Sequence, residues 1–222
     1  MKSRATTADR ILEAGRRMFN EKGYASTTLT QIALAVGISQ GNLPYPSPTK
    51  IDLATKLQEQ ARLRAKTRRA NLKPGTIQDD YVEHLLFGME ITWDNRFLLR
   101  DRALLADLST ANQPNAEEVA DYQELESLLK RIKKDDLFRR DLSLDLDVLT
   151  RSLWIISRYW MDYLRDSEGL QQITWADQER GIQQHFAVLL PCLTASAKRH
   201  FEAALDHASG QKQNGGGAAH PG

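Results

Sequence analysis

Thr27-Thr28-Leu29-Thr30-Gln31-Ile32-Ala33-Leu34-Ala35-Val36-Gly37-Ile38-Ser39-Gln40-Gly41-Asn42-Leu43 is the stretch that decides the fold. Thr28 and Gln31 have capping-box spacing: the threonine hydroxyl accepts from the amide three residues on, and the glutamine side chain reaches back. The helix they open is short, with Ile32, Ala33 and Val36 facing inward and Gly37 ending it. Ile38 plugs a tight turn, and Ser39 takes the N-cap of a further helix beginning Gln40-Gly41-Asn42-Leu43. Two short helices joined by a glycine-containing turn, with a third packed behind, make a helix-turn-helix.

The flanks supply the rest of that small domain. From Thr7 to about Glu21, Ile11, Leu12, Ala14, Gly15, Met18 and Phe19 share one helical face, capped by Thr6 or Thr7 and stopped by Gly23. Downstream, Thr49 to Asp52 is a second capping box, opening a helix that runs to about Asn71 through Arg62, Arg64, Lys66, Arg68 and Arg69. Lys73-Pro74-Gly75 is the clearest break. Beyond it, periodicity predicts helices over Ile77–Trp93, Phe97–Leu108, Ala116–Lys134, Leu146–Arg165 and Asp177–Leu205, the last kinked at Pro191. No segment sustains alternation, so strands are not expected. The fold class is all-α, about nine helices. The expected layout is a helix-turn-helix domain over 1–48, a connecting helix over 49–73, a larger helical domain over 74–208, and a disordered glycine-rich tail over 209–222.

Charge is segregated along the chain. Residues 1–73 hold 14 Lys/Arg against 5 Asp/Glu, and the remainder 16 against 24, although the net charge is only +1. A basic segment on an acidic body suits binding to a phosphate backbone. No apolar run approaches the ~18 residues of a membrane span, and Met1 to Phe19 carries no secretory pattern. The single cysteine, Cys192, excludes an intrachain disulfide and a cysteine-built metal site. A reducing cytoplasm is the expected location, with no cofactor, no metal and no membrane partner.

Thr7, Arg10-Ile11-Leu12, Ala14, Met18-Phe19, Gly23-Tyr24, Thr27-Thr28, Ile32-Ala33, Val36-Gly37-Ile38-Ser39 and Gly41-Asn42-Leu43 together resemble the N-terminal domain of the TetR family of bacterial transcriptional regulators, over about residues 6–57. The resemblance implies a transcription regulator, a repressor, that binds a palindromic operator in double-stranded DNA as a homodimer and is released by a small, largely apolar effector. One recognition helix per subunit would enter successive major grooves. By position, Thr28 and Thr30 would face the DNA. Ser39 would cap the recognition helix, Gln40 and Asn42 would reach base edges or phosphates, and Gly41 would allow close approach. Tyr45 and Lys50 would hold the phosphate backbone.

The resemblance breaks after Leu43. Where the family continues with two tyrosines, a polar residue, a phenylalanine and proline, this chain has Pro44-Tyr45-Pro46-Ser47-Pro48. Pro44 cannot donate to the carbonyl of Gln40, and its ring clashes there, at a cost of about 3 kcal/mol. Ser47 replaces an aromatic anchor worth about 3–5 kcal/mol. Two readings stand: DNA is read through a shortened or altered helix, or the chain is a helical dimeric ligand sensor or partner-binding protein whose DNA binding is lost or altered.

In the C-terminal part, Leu146–Arg165 is apolar around most of its circumference, with Arg151, Arg158, Asp162 and Arg165 on one narrow stripe. Such a helix must be covered on two sides. Leu149, Leu153, Ile156 and Trp160, with Phe186, Leu189, Leu190, Leu193 and Ala197 of the final helix, are the expected dimer interface, a four-helix bundle. A fully buried central helix in a monomer is the alternative. Met89, Trp93, Phe97, Trp154, Tyr159, Trp160 and Tyr163 are the candidate effector pocket, with His84 as a polar handle; the alternative is that the aromatic stripe is core and His84 an ordinary, partly exposed histidine. There is no phosphate-cradling glycine loop, no His-Glu-x-x-His and no Gly-x-Ser-x-Gly, so catalysis is not expected.

Overall fold

The computed structural model of the protein describes residues 6–39, 41, 49–101, 104–105 and 116–214. They form nine α-helices: α1 (Thr7–Lys22), α2 (Leu29–Ala35), α3 (Lys50–Asn71), α4 (Ile77–Asp94), α5 (Phe97–Arg100), α6 (Ala116–Lys134), α7 (Leu146–Asp166), α8 (Trp175–Leu189) and α9 (Ala195–Asn214). The chain is all-α among these residues; its β geometry is one isolated bridge between Phe138 and Leu193.

The helix starts follow from local chemistry. Thr6 caps α1 in a reciprocal box with Asp9, and Thr28 caps α2 with Gln31. At α3, Thr49 accepts from Asp52 N (3.2 Å) while the Asp52 carboxylate takes Thr49 N–H (2.8 Å). Those bonds to the ionised form hold the Asp9 and Asp52 carboxyls below the usual carboxylate range. Gly37 turns the chain after α2 at φ +76°, a value that side chains other than glycine seldom adopt. Gly23 ends α1 with positive φ as expected, but with ψ at 153° rather than left-handed helical.

Three sequence expectations about helix length change. The predicted helix from Asp177 to Leu205 is two helices. Pro191 has no N–H, and α8 gives way at Leu190–Cys192 to a 3₁₀ turn before α9 begins. A fourth capping box, Thr174 with Asp177, moves the start of α8 back to Trp175. Of the predicted helix from Phe97 to Leu108, the described residues form a single helical turn, α5, closed by Asp101 N–H to Phe97 O. At the C-terminus, α9 passes Ser209, where the sequence reading begins an irregular tail, and reaches Asn214; an established helix extends at little cost per residue.

The chain groups into two compact units, Met1–Asn71 with Asp94–Asn115, and Leu72–Trp93 with Ala116–Gly222. In the first, Ile11, Ala14 and Phe19 of α1, Ile32 and Ala33 of α2, Leu53, Ala54 and Leu57 of α3, and Phe97 of α5 share one core. The buried residues of α3 all lie in its first two turns; Leu63 is 63% exposed. In the second unit, α4, α6, α7, α8 and α9 enclose a core that includes Tyr81, Leu85, Leu129, Leu153, Phe186 and Phe201. No described helix is long and apolar enough to cross a membrane.

Candidate nucleic-acid interface and effector site

In the first unit, the α1–α2 loop is held from inside. Thr27 is wholly buried and donates its hydroxyl to Gly23 O (2.8 Å). Thr28 and Thr30 stay exposed on α2, and Ser39 and Gly41 are exposed beyond the turn. Among the described residues, nothing lies within 4 Å of where a Cβ on Gly41 would stand. Gln40, Asn42 and Tyr45, with Pro44, Pro46 and Ser47, lie outside the described residues, so the expected interruption of the recognition helix falls there too.

Lys50 is placed differently from its expected role on a phosphate. Its Nζ donates to Tyr24 O (2.8 Å), Ala25 O (3.3 Å) and Thr27 O (3.1 Å), and lies 4.5 Å from the centre of the Tyr24 ring. An ammonium has three protons, and here each has a backbone acceptor. The lysine ties the first turn of α3 to the loop that presents α2.

The segment after α4 is fastened to the end of α1. Asn20, buried, donates Nδ2–H to Asp94 O (2.8 Å) and accepts Phe97 N–H at Oδ1 (3.1 Å). Arg100 donates to the carbonyls of Asn20 and Phe19, and Asp101 accepts Tyr24 N–H at 2.9 Å. Arg64 of α3 pairs with the Asp94 carboxylate at 2.6 Å. Phe97, a candidate for the effector pocket, is spent in this core, its ring 5.2 Å from that of Phe19.

The other pocket candidates lie on α4 and α7. Met89 and Trp93 are buried on α4. Trp160 is buried on α7, its Nε1 donating to Asp177 O (2.8 Å), with its ring where a Cβ on Gly181 would come within 2.6 Å. Trp154 is half-buried between the rings of Tyr122 and Tyr159. Tyr159 and Tyr163 are exposed, because 100° per residue turns them away from Leu153, Trp160 and Leu164.

The expected dimer residues mostly point inward. Leu149, Leu153, Trp160, Phe186, Leu189, Leu193 and Ala197 are buried within the single chain, and Ile156 and Leu190 are half-buried. The apolar surface that α7 leaves to solvent is instead Val148, Ile155, Tyr159 and Tyr163. None of the large hydrophobic residues exposed among the described residues lies on α8 or α9.

Of the polar interior of the second unit, sequence reasoning named His84 alone. Tyr81 Oη is 2.7 Å from His185 Nε2, and His185 Nδ1 is 2.8 Å from Ser157 Oγ, which itself donates to Leu153 O (3.1 Å). With the serine proton committed, Nδ1 must donate and Nε2 accept from the tyrosine, so the imidazole is neutral. Burial pushes the His185 pKa down to about 3 and the Tyr81 phenol well up. His84, also buried, has Nδ1 3.2 Å from Glu124 Oε1. Across from Met89, Gln178 of α8 is 1% exposed and donates Nε2–H to Met89 Sδ (3.0 Å) and O (3.4 Å). The signal that could have found Gln178 and His185 is their seven-residue spacing on a helix whose capping box starts at Thr174.

Among known proteins, residues 11–45 match the family described as bacterial regulatory proteins, tetR family, and residues 57–201 the family described as TetR, bacterial transcriptional repressor. The chain is 32% identical over 84 residues to the HTH-type transcriptional regulator CymR of Pseudomonas putida, and spans about two fifths (40%) of that relative's length. Its fold resembles a TetR-family transcriptional regulator from Marinobacter aquaeolei VT8 (TM-score 0.71, 20% identity, 91% of this chain and 98% of that one). It also resembles a gamma-butyrolactone receptor described as ArpA-like (TM-score 0.60, 16% identity, 91% and 96%). With more than half of its length matched by one family model and its N-terminal helices by another, the chain belongs to the TetR family and is a transcriptional regulator of that family.

Proposed function

We propose that the chain is a repressor that binds a palindromic operator as a homodimer and leaves it when a small, largely apolar effector binds the second unit. The observation that carries this reading is the α1–α2–α3 scaffold, with a capping box at each helix start and Thr28 and Thr30 exposed on α2. The excess of 14 basic over 5 acidic residues in 1–73 supplies the attraction to phosphate. The exposed α7 row of Val148, Ile155, Tyr159 and Tyr163 supplies the apolar face a second copy would cover. A relative of the same fold is described as a gamma-butyrolactone receptor, in keeping with a small neutral effector.

Release would work by population shift. An effector that prefers the state unable to span adjacent grooves tenfold over the other shifts the balance by about 1.4 kcal/mol. The test is binding to duplex DNA from upstream of its own gene at several salt concentrations. Six to ten phosphate contacts would cost about 10³–10⁵ in affinity between 50 and 200 mM salt. Absence of salt-sensitive binding overturns the proposal.

A second reading, a helical dimeric sensor with lost or altered DNA binding, is favoured by Pro44, Pro46 and Ser47 in the segment that should read DNA. The engagement of Lys50 by three carbonyls supports it too. Placing Tyr and His at positions 44 and 46 separates the two: DNA affinity that appears only in that variant supports the sensor reading, and affinity already present in the unaltered chain the repressor.

A further inference from the structure

In the second unit, Oε1 of Gln178 is a buried acceptor with no partner among the described residues, in an interior that Met89 and Trp93 share. Its amide nitrogen is anchored on Met89. One turn further along α4 stands Trp93, and one turn back along α8 stands Trp175, their rings in edge contact at 5.6 Å. Both pairs have the spacing that places side chains on one helical face, so Met89 and Trp93 face Gln178 and Trp175. The acids beside them are engaged elsewhere. Glu179 accepts from Trp175 Nε1 (2.8 Å), and Asp177 takes Thr174 N–H (2.9 Å). A buried acceptor left without a donor destabilises a fold by about 1–3 kcal/mol, so its persistence calls for an explanation.

We propose that Gln178 Oε1 is the recognition point of the effector, and that the effector is a neutral, flat, mostly apolar molecule carrying one O–H or N–H donor. The donor bonds to Gln178 Oε1 while the apolar body packs against Met89, Trp93 and Trp175. A cationic donor is disfavoured because the groups that would meet it, the Gln178 amide oxygen, Met89 and Trp93, are buried and neutral and do not compensate its desolvation. This rests on the effector-responsive reading above and adds the chemistry of the ligand.

The experiment titrates the full chain calorimetrically with 4-ethylphenol and with its methyl ether, 4-ethylanisole, which have nearly the same apolar body and differ in the donor. The expected result is binding of the phenol about tenfold tighter than the ether, as expected for one buried hydrogen bond. In Gln178→Met, which keeps bulk and removes the acceptor, the two should bind within about twofold. Binding of neither compound, equal binding of both to the wild-type chain, or undiminished discrimination in Gln178→Met overturns the inference. The wild-type comparison stands even if the variant folds poorly. Duplex-DNA binding is measured on the same wild-type sample without probe. Loss there with phenol discrimination intact counts against the regulator reading alone, and intact DNA binding without discrimination counts against this inference alone.

Discussion

Asn20 offers the sharpest mechanical test of the first unit. Its amide satisfies two backbone groups at once, Asp94 O and Phe97 N–H, at 2.8 and 3.1 Å, from a position only 8% exposed. Asn20→Ala removes both partners without supplying new ones. Each orphaned group costs about 1–3 kcal/mol, and partial water entry puts the sum at about 2–4 kcal/mol. Asn20→Asp should cost at least as much: the carboxylate still accepts Phe97 N–H, but it buries a charge and sets an oxygen with nothing to donate against Asp94 O. All four tryptophans, Trp93, Trp154, Trp160 and Trp175, belong to the second unit. Urea unfolding followed by far-UV circular dichroism should therefore show an early transition in the variants that tryptophan emission does not share. A loss below about 1 kcal/mol in Asn20→Ala, set against that expected orphaning cost, or an Asn20→Asp variant as stable as wild type, would refute the bridging role.

Other outcomes follow from contacts described above. Gly181→Ala places a Cβ 2.6 Å from the Trp160 ring, and overpacking of this kind costs about 1–3 kcal/mol; a lowered melting temperature with shifted tryptophan emission is the expected result. His185 is neutral in the fold with a pKa pushed down to about 3, whereas its unfolded value is near 6.5. The unfolded chain therefore takes up a proton first, and the stability that the neutral histidine provides above pH 6.5 is lost as pH falls toward 3, with a slope of about 1.4 kcal/mol per pH unit. Urea midpoints between pH 7 and 4 should show that slope in the wild type and a shallower one in His185→Gln. Lys50→Met removes three donors to backbone carbonyls, so it should lower the stability of the first unit by about 1–3 kcal/mol, read by circular dichroism. A lysine serving only to hold phosphate would instead flatten the salt dependence of DNA binding and leave stability unchanged.

The sequence by itself determined what depends on neighbours along the chain. The capping boxes at Thr28 and Thr49, the glycines that end α1 and turn the chain after α2, and the 3.6-residue periodicity of α4, α6 and α7 are local, and their boundaries can be read within a residue or two. So can family membership, because the diagnostic residues sit at fixed spacing over residues 6–57. Tertiary structure decided what depends on which faces meet. Helical periodicity reports that α7 is apolar nearly all round, but it does not tell which third of that circumference the chain covers itself. Leu153 and Trp160 turn inward and Tyr159 and Tyr163 outward because α6 and α8 pack where they do. Phe97 looks like a pocket residue in a list of aromatics, yet Asn20, seventy-seven positions away, pins its backbone into the first unit. Gln178 and His185 carry no motif at all. Their chemistry arises from burial opposite Met89 and Tyr81, and burial is a property of the packed chain, not of any window of sequence.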